Sequence, residues 1–429
     1  MLMNPRAILG LTFVAVQAGC GAGSSSSSLP AARLQPIGPA KVHATEKVLY
    51  SFADGVDGGG PNGGLVFDAS GNAYGTTHFG GNDSCGGQVG GGCGIVFELS
   101  PNESGGWSET PLYAFQDSSD GGFPNAGVVL DKSGNVLGTA STGGSFTCSI
   151  GCGVVYELSK GSAWAETVLH TFDGSDGEFP NAALLPSANG TLYGTTWYGG
   201  SGNGTVFSLA RGSGGWKESV LYGFQGTADG SAPAGGVVAD RAGNLYGTTY
   251  KFDGDNDGVA FELRKHAAWK DSVLYTFTNN GGGEDPYAGL IMPAKRKLYG
   301  TAIESGPNDG GVAFELVLGT KHQWSEKGLH AFGSPGDGNA PYGGVIADKR
   351  GNLYGTTVFG GANNSGIVYE LSPSGSGQWK EKILYSFTGG GDGQYPSGSL
   401  TLDATGGNLY GATSNGGQNG YGAVFEITR

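Results

Sequence analysis

The chain has 429 residues, with 37 Asp and Glu against 23 Lys and Arg, a formal net charge of −14 and a pI near 4.8. That balance excludes a nucleic-acid partner, which needs clustered basic side chains against phosphate. The 87 glycines do not recur at every third position, which excludes collagen, and an aromatic content of 11% excludes a disordered acidic chain.

The first 20 residues, MLMNPRAILGLTFVAVQAGC, read as an export signal peptide. Arg6 gives a positive start, and Ala7 to Val16 an apolar run too short to span a bilayer comfortably. Ala18 and Gly19 are the small residues before Cys20. The segment resembles a bacterial lipoprotein signal, in which Cys20 is lipidated and becomes the mature N-terminus. Gln17 stands where Leu is usual, and plain secretion after cleavage at Ala18 is the alternative. Residues 21–44, with their GAGSSSSS start, read as a flexible linker. The expected location is the outer membrane or cell surface, or else the medium, with membrane contact only through the lipid.

From residue 45 onward the chain repeats itself. The segment KVLYSF (47–52) comes first and has six later relatives. GGLVFDASGNAYGTT (63–77) recurs six more times, lastly as GSLTLDATGGNLYGAT (398–413). A Gly-rich gap follows each copy, then an element of the type IVFEL. In the first six copies a Trp comes next, at Trp107, Trp164, Trp216, Trp269, Trp324 and Trp379, and then a VLYSF-like segment. Each unit thus holds four strand candidates. The Asp-x-x-Gly-Asn link between the first two fits a hairpin turn, with Gly or Asn free to take positive φ. Copies three and five depart most: Pro186 stands for the hairpin Asp, and MPAKRK replaces ADRAGN.

Four short strands, seven times over, specify an all-β fold: a seven-bladed β-propeller of four-stranded blades over residues 45–429. A lone sheet of this size cannot bury both apolar faces, whereas a ring covers every one. The first fourth-strand segment precedes the first repeat, and none follows AVFEITR. The N-terminal strand Val48–Phe52 is therefore expected to close the last blade beside residues 423–429, burying Val48, Tyr50 and Phe52 on one face. A solenoid would need no such borrowed strand. The domain is expected to be a monomer.

The recurring GNLYGTT…GG…G.VFEL string resembles the tandem GloVer repeat of bacterial choice-of-anchor proteins, from about residue 47 to the end. The resemblance implies a surface or extracellular protein whose anchor here is the lipoprotein-like start. It implies no reaction and no catalytic residues.

In such a blade the second-to-third and fourth-to-first connections share one face, and the binding residues are expected there. Cys85 and Cys93 lie in one of these loops and Cys148 and Cys152 in the next, which fits two local disulfides made in an oxidising compartment, with zinc as the rival. Asp253, Asp255 and Asp257, in DGDNDG, resemble the start of a calcium loop, although Arg264 stands where an EF-hand needs its bidentate acid. An Asp-x-x-x-Pro element recurs six times in the fourth-to-first connection; an Asp capping the turn is a sufficient reason, with a ring of metal or ligand carboxylates as the alternative. Aromatic and imidazole rings follow the second strand: His78, Phe79, Trp197, Tyr198, Tyr250, Phe252 and Phe359. They could stack on sugar faces or fill the wedge between blades. The sequence carries no evident catalytic constellation. The expected function is a non-enzymatic binding or scaffold module for a glycan or protein ligand, without a cofactor unless calcium binds. The alternative is an extracellular polysaccharide lyase or glycoside hydrolase of propeller fold.

Overall fold

The structure, a computed structural model, describes residues 44–429 apart from 83–84, 86–90, 227, 251–257, 266–267, 279–281, 322 and 376. Cys20, Phe252, Asp253, Asp255 and Asp257 lie outside the described residues. Among those described there is no helix. Seven four-stranded antiparallel sheets form the blades of a seven-bladed propeller. The first blade shows the pattern: Val66–Phe67, Ala73–Thr77, Ile95–Pro101 and Trp107–Ala114, from the axis outward. The inner strand pairs over only two residues here.

The last blade joins the two ends of the ring. Thr45–Ser51 pairs antiparallel with Ala423–Thr428, with Val48 opposite Phe425 and Tyr50 opposite Val424. Leu49 and Phe52 are the deeply buried side chains of this strand, while Val48 and Tyr50 are only half-buried. The expectation of Val48, Tyr50 and Phe52 on one face is thus corrected. A β-bulge between Val48 and Tyr50 breaks the two-residue alternation and turns Leu49 inward.

The repeats interlock by one device. Each third strand carries a Phe or Tyr directly opposite the Gly of the second strand, as Phe97 opposite Gly75 and Phe314 opposite Gly300. The ring lies across the bare Gly: a Cβ at Gly300 would meet Phe314 Cζ at 2.6 Å. The Phe that ends the previous blade's outer strand then packs edge-on against this ring. Phe277 meets Phe314 at 5.0 Å, Phe387 meets Phe425 at 5.1 Å, and Phe52 meets Phe97 at 5.2 Å. All seven junctions carry such a pair.

Threonines of the GTT motif add polar clasps. The Thr76, Thr139, Thr195, Thr248, Thr301 and Thr356 hydroxyls each donate to a backbone carbonyl of the following blade. The seventh copy has Ala412 at this position, and Thr401 donates to Leu65 O instead, at 2.6 Å. The second Thr works within its own blade, as where Thr77 accepts from Ile95 N.

The hairpins follow the Asp-x-x-Gly-Asn reading: Asp68 accepts from Ser70 N, Asn72 N and the Asn72 side chain. The assignment of Pro186 to the Asp position is corrected. Pro186 is a strand residue paired with Leu192, and Ser187 occupies the turn, donating from its N–H to Thr191 O. In the fifth copy Arg296 takes the turn's positive φ, at 67°.

Gly300→Ala should destabilise by about 1–3 kcal/mol, because the new methyl must displace a fully buried ring. Gly375→Ala, where a Cβ meets nothing within 4 Å, should leave thermal unfolding nearly unchanged. Equal melting temperatures for the two variants would contradict the interlock.

Candidate functional site

The second-to-third and fourth-to-first connections are laced together on one face of the ring. Gly59 pairs with Phe79, Glu178 with Tyr198, Glu284 with Glu304, and Asn339 with Phe359. The residue before Pro in the fourth-to-first connection takes positive φ in every blade: Gly60 in the first, and Phe123, Phe179, Ala232, Asp285, Ala340 and Tyr395 in the others. Six side-chain-bearing residues in that conformation need a surrounding structure that holds them. It does so through backbone bonds such as Phe123 N to Cys93 O and Ala340 N to Gly310 O, which reach back to the preceding blade. The backbone then enters the inner strand in close contact with its neighbours, so that a Cβ on Gly63 would fall 2.5 Å from Gly127 N.

Two sets of residues thereby ring the axis: the residue after each Pro, and the first residue after each second strand. Ala234, Ile303 and Val358 in these sets are buried and apolar; the polar and aromatic members form two arcs. One arc is aromatic. Trp197 lies 6.1 Å from Tyr250 and 5.8 Å from Tyr287, ring centre to ring centre, and Tyr287 lies 5.4 Å from Tyr342. All four keep part of their surface exposed. Trp197 Nε1 has no acceptor among the described residues. Burial, then the Asp285 carboxylate, pushes the Tyr250 hydroxyl up; burial, then Glu304 and Asp285, does the same to Tyr342. The other arc is amide and hydroxyl. Asn125 Nδ2 donates to Ser141 Oγ at 3.0 Å and to Asn181 Oδ1 at 3.1 Å. Ser397 Oγ donates to Asn62 Oδ1 at 3.1 Å. His78 sits in this arc against Phe79 and Phe123, and burial holds its imidazole down to about 4.

The predicted ring residues therefore fall into two groups. Trp197, Tyr250 and His78 reach the axial mouth. Phe79, Tyr198 and Phe359, one residue further along, lie in the loop lacing; Phe79 packs on the core of the first two blades and Phe359 on Tyr395. Tyr287, Tyr342 and the three Asn residues were missed by sequence reasoning. Their signal was the variable position after each repeated Pro, read there as part of a turn. The cysteines form the disulfides Cys85–Cys93 and Cys148–Cys152, so the zinc alternative for them falls. Both bonds suit an oxidising, extracellular compartment.

A second feature recurs where neighbouring outer strands meet. The Asp of each Asp-x-x-x-Pro element caps its turn, as Asp57 accepts from Ala53 N, and it also accepts from the outer-strand ring before it. Tyr50, Tyr113, Tyr222 and Tyr385 donate to Asp57, Asp120, Asp229 and Asp392 at 2.9–3.0 Å. His170 and His330 take the same place beside Asp176 and Asp337. A second acid faces each seam from the next blade's outer strand, at Glu46, Glu109, Glu166, Glu218, Asp271, Glu326 and Glu381. Each of the seven has a buried carboxylate oxygen without a hydrogen-bond partner among the described residues. Burial, then the charge of Asp57, pushes Glu109 up to about 8. Burial with Asp392 lifts Glu46, and burial with Asp120 lifts Glu166, to about 7. At the one seam lacking the Asp, Gly282 holds its place and burial alone raises Glu326 to about 7. The signal in the sequence is an acid four residues before each Tyr or His.

The profile of the Gloeobacter/Verrucomicrobia repeat matches residues 146–334 and 297–429. The chain belongs to this repeat family. No curated protein matches this repeat protein by sequence. Among solved structures it is similar to a puromycin-hydrolyzing peptidase of Mycobacterium tuberculosis, with a TM-score of 0.50, 11% identity, and coverage of 82% of this chain and 48% of that one. It is also similar to a provisionally assigned 6-phosphogluconolactonase of Bacteroides uniformis, with a TM-score of 0.47, 12% identity, and coverage of 77% and 87%. At 11% identity the likeness to the peptidase shows the fold alone.

The seam acids give this repeat protein a distinctive pH response. A carboxyl raised in the folded state holds its proton where the unfolded chain has lost it. Its penalty is absent below the ordinary value near 4.5 and grows until the folded group ionises near 7–8. The buried neutral His78 acts oppositely, but only below about 6.5. The melting temperature should therefore fall as pH rises from 6.5 to 8, measured with chelator present. Glu109→Gln should flatten that slope; a wild-type curve that rises over this window would contradict the assignment.

Proposed function

We propose that this repeat protein is an exported, surface-anchored binding module that takes a glycan at the axial mouth. The supporting observation is the division of that mouth into an aromatic arc, Trp197, Tyr250, Tyr287 and Tyr342, and an amide and hydroxyl arc, Asn62, Asn125, Asn181 and Ser397. Flat rings stack on the apolar faces of sugars, while amides and hydroxyls exchange hydrogen bonds with sugar hydroxyls. A site with a few convergent polar groups on an aromatic wall is the usual make-up of a small-ligand site. The rigid ring supplies preorganisation, so little ordering entropy opposes binding. Export follows from residues 1–20 and agrees with the two disulfides; anchoring is assigned to a lipid on Cys20, with residues 21–44 as the tether.

The second reading, a polysaccharide-active enzyme, has one specific support. Asp285 and Glu304 are close enough to Tyr250 and Tyr342 to raise their hydroxyls. An acid pair beside a glycan site is the equipment of glycoside hydrolysis.

The test is binding and turnover on one panel of bacterial and plant polysaccharides. Wild-type protein should bind at least one member without releasing reducing ends. Trp197→Ala and Tyr287→Ala should weaken that binding by about tenfold or more, roughly 1.4 kcal/mol, with circular dichroism unchanged. Reducing-end release abolished by Glu304→Gln would favour the enzyme. No binding to any member would overturn the glycan reading.

A further inference from the structure

Two of the seven seams differ from the rest in one atom type. At the junction of the second and third blades the ring beside the Asp is His170, and at the junction of the fifth and sixth it is His330. Elsewhere that place is held by Tyr. A neutral phenol here donates a hydrogen bond to the carboxylate, whereas a neutral imidazole nitrogen is a good ligand for borderline divalent metals.

The donor atoms at these two seams are gathered. His170 Nε2 lies 2.8 Å from Asp176 Oδ2, and the ligand atoms of His170, Asp176 and Glu218 all fall within 4.8 Å of one another. His330 Nε2 lies 3.0 Å from Asp337 Oδ2 and 3.8 Å from Glu381 Oε1, with the same limit on the set. The carboxylates are oriented before any ligand arrives. Asp176 Oδ1 accepts from Asp173 N and Asp337 Oδ1 from Gly338 N, which leaves each Oδ2 turned toward the imidazole. Such fixing from behind is what ligating carboxylates need. Glu218 Oε1 and Glu381 Oε1 are buried and have no hydrogen-bond donor among the described residues. No described Lys or Arg pairs with any of these four acids, so no side-chain cation of that kind already neutralises them.

We infer that these two seams each bind one divalent transition-metal ion of the Zn²⁺ class, through His170, Asp176 and Glu218 and through His330, Asp337 and Glu381. Each ion would tie the outer strand and connection of one blade to the outer strand of the next. Three protein ligands leave room for water in a fourth position. Hard ions such as Ca²⁺ and Mg²⁺ gain little from imidazole and are not the expected occupants. The sites lie away from the axial mouth and do not depend on its reading.

The fold itself supplies the control, because Tyr fills this place in five other seams. Untagged full-length mature protein, stripped with chelator and exchanged into metal-free buffer at pH 7.5, is titrated calorimetrically with Zn²⁺. The wild type should bind saturably, with stoichiometry falling by one in His170→Tyr, by one in His330→Tyr and by two in the double variant. Glu381→Gln in the His170→Tyr background should weaken the remaining seam site tenfold or more. Absence of saturable Zn²⁺ uptake by the wild type, or a double variant with wild-type stoichiometry, would overturn the inference.

Discussion

The contact on which this molecule depends is a buried aromatic pair set over a bare glycine. The third-strand ring can lie flat across its own sheet only because the opposite residue has no side chain. The Phe ending the preceding outer strand then meets that ring at its edge. One contact therefore fixes the internal packing of a blade and its angle to the next blade. Repeated seven times it leaves no sheet face uncovered, which is how sheets of four short strands obtain a core. Because the first described strand, Thr45–Ser51, is the outer strand of the last blade, the seventh pair, Phe52 on Phe97, is made by residues that precede the first repeat.

The architecture was legible because each of its causes is local and repeated. The YGTT and VFEL strings place Gly opposite the aromatic residue, and the out-of-step KVLYSF announced the closure. What the sequence did not disclose follows from physics beyond strand alternation. The bulge that buries Leu49 instead of Val48 is a shift in pairing, and any apolar triplet would be read with simple alternation. Pro186 was misassigned because Pro suggests a turn, yet here it sits at the axial edge of a sheet, where its missing N–H matters little. The candidate mouth was half-legible. Trp197 and Tyr250 stand out because they follow a repeated GTT string, whereas Tyr287 and Tyr342 follow a Pro whose predecessor takes positive φ. No local sequence rule predicts that conformation for Asp285 or Ala340.

The repeat also explains why candidate chemistry concentrates in two places. Residues that interlock the blades are under the same constraint in every copy, so they barely vary. The position after each Pro and the position after each second strand lie beside the axis, outside the repeated Gly and aromatic interlock. They hold Asn, Ser, Tyr, Trp and His as well as the buried Ala234, Ile303 and Val358, and the polar and aromatic ones sort into two arcs. The outer seams behave in the intermediate way. An acid pair is retained almost throughout, at a cost in burial that protonation relieves, while the ring beside it alternates between phenol and imidazole. The scaffold thus tolerates variation only where a side chain meets solvent or the axis.

The central claim is that the N-terminal strand is a structural part of the last blade. Its most direct test is thermal unfolding of a chain beginning at Ala53 against one beginning at His43, with amide exchange followed in residues 423–428. Loss of the buried Leu49 and Phe52 removes about 1.5–3 kcal/mol for each side chain. The account predicts a melting temperature lower by at least several degrees and fast exchange along the newly exposed edge. Coincident melting curves with a still-protected C-terminal strand would contradict it.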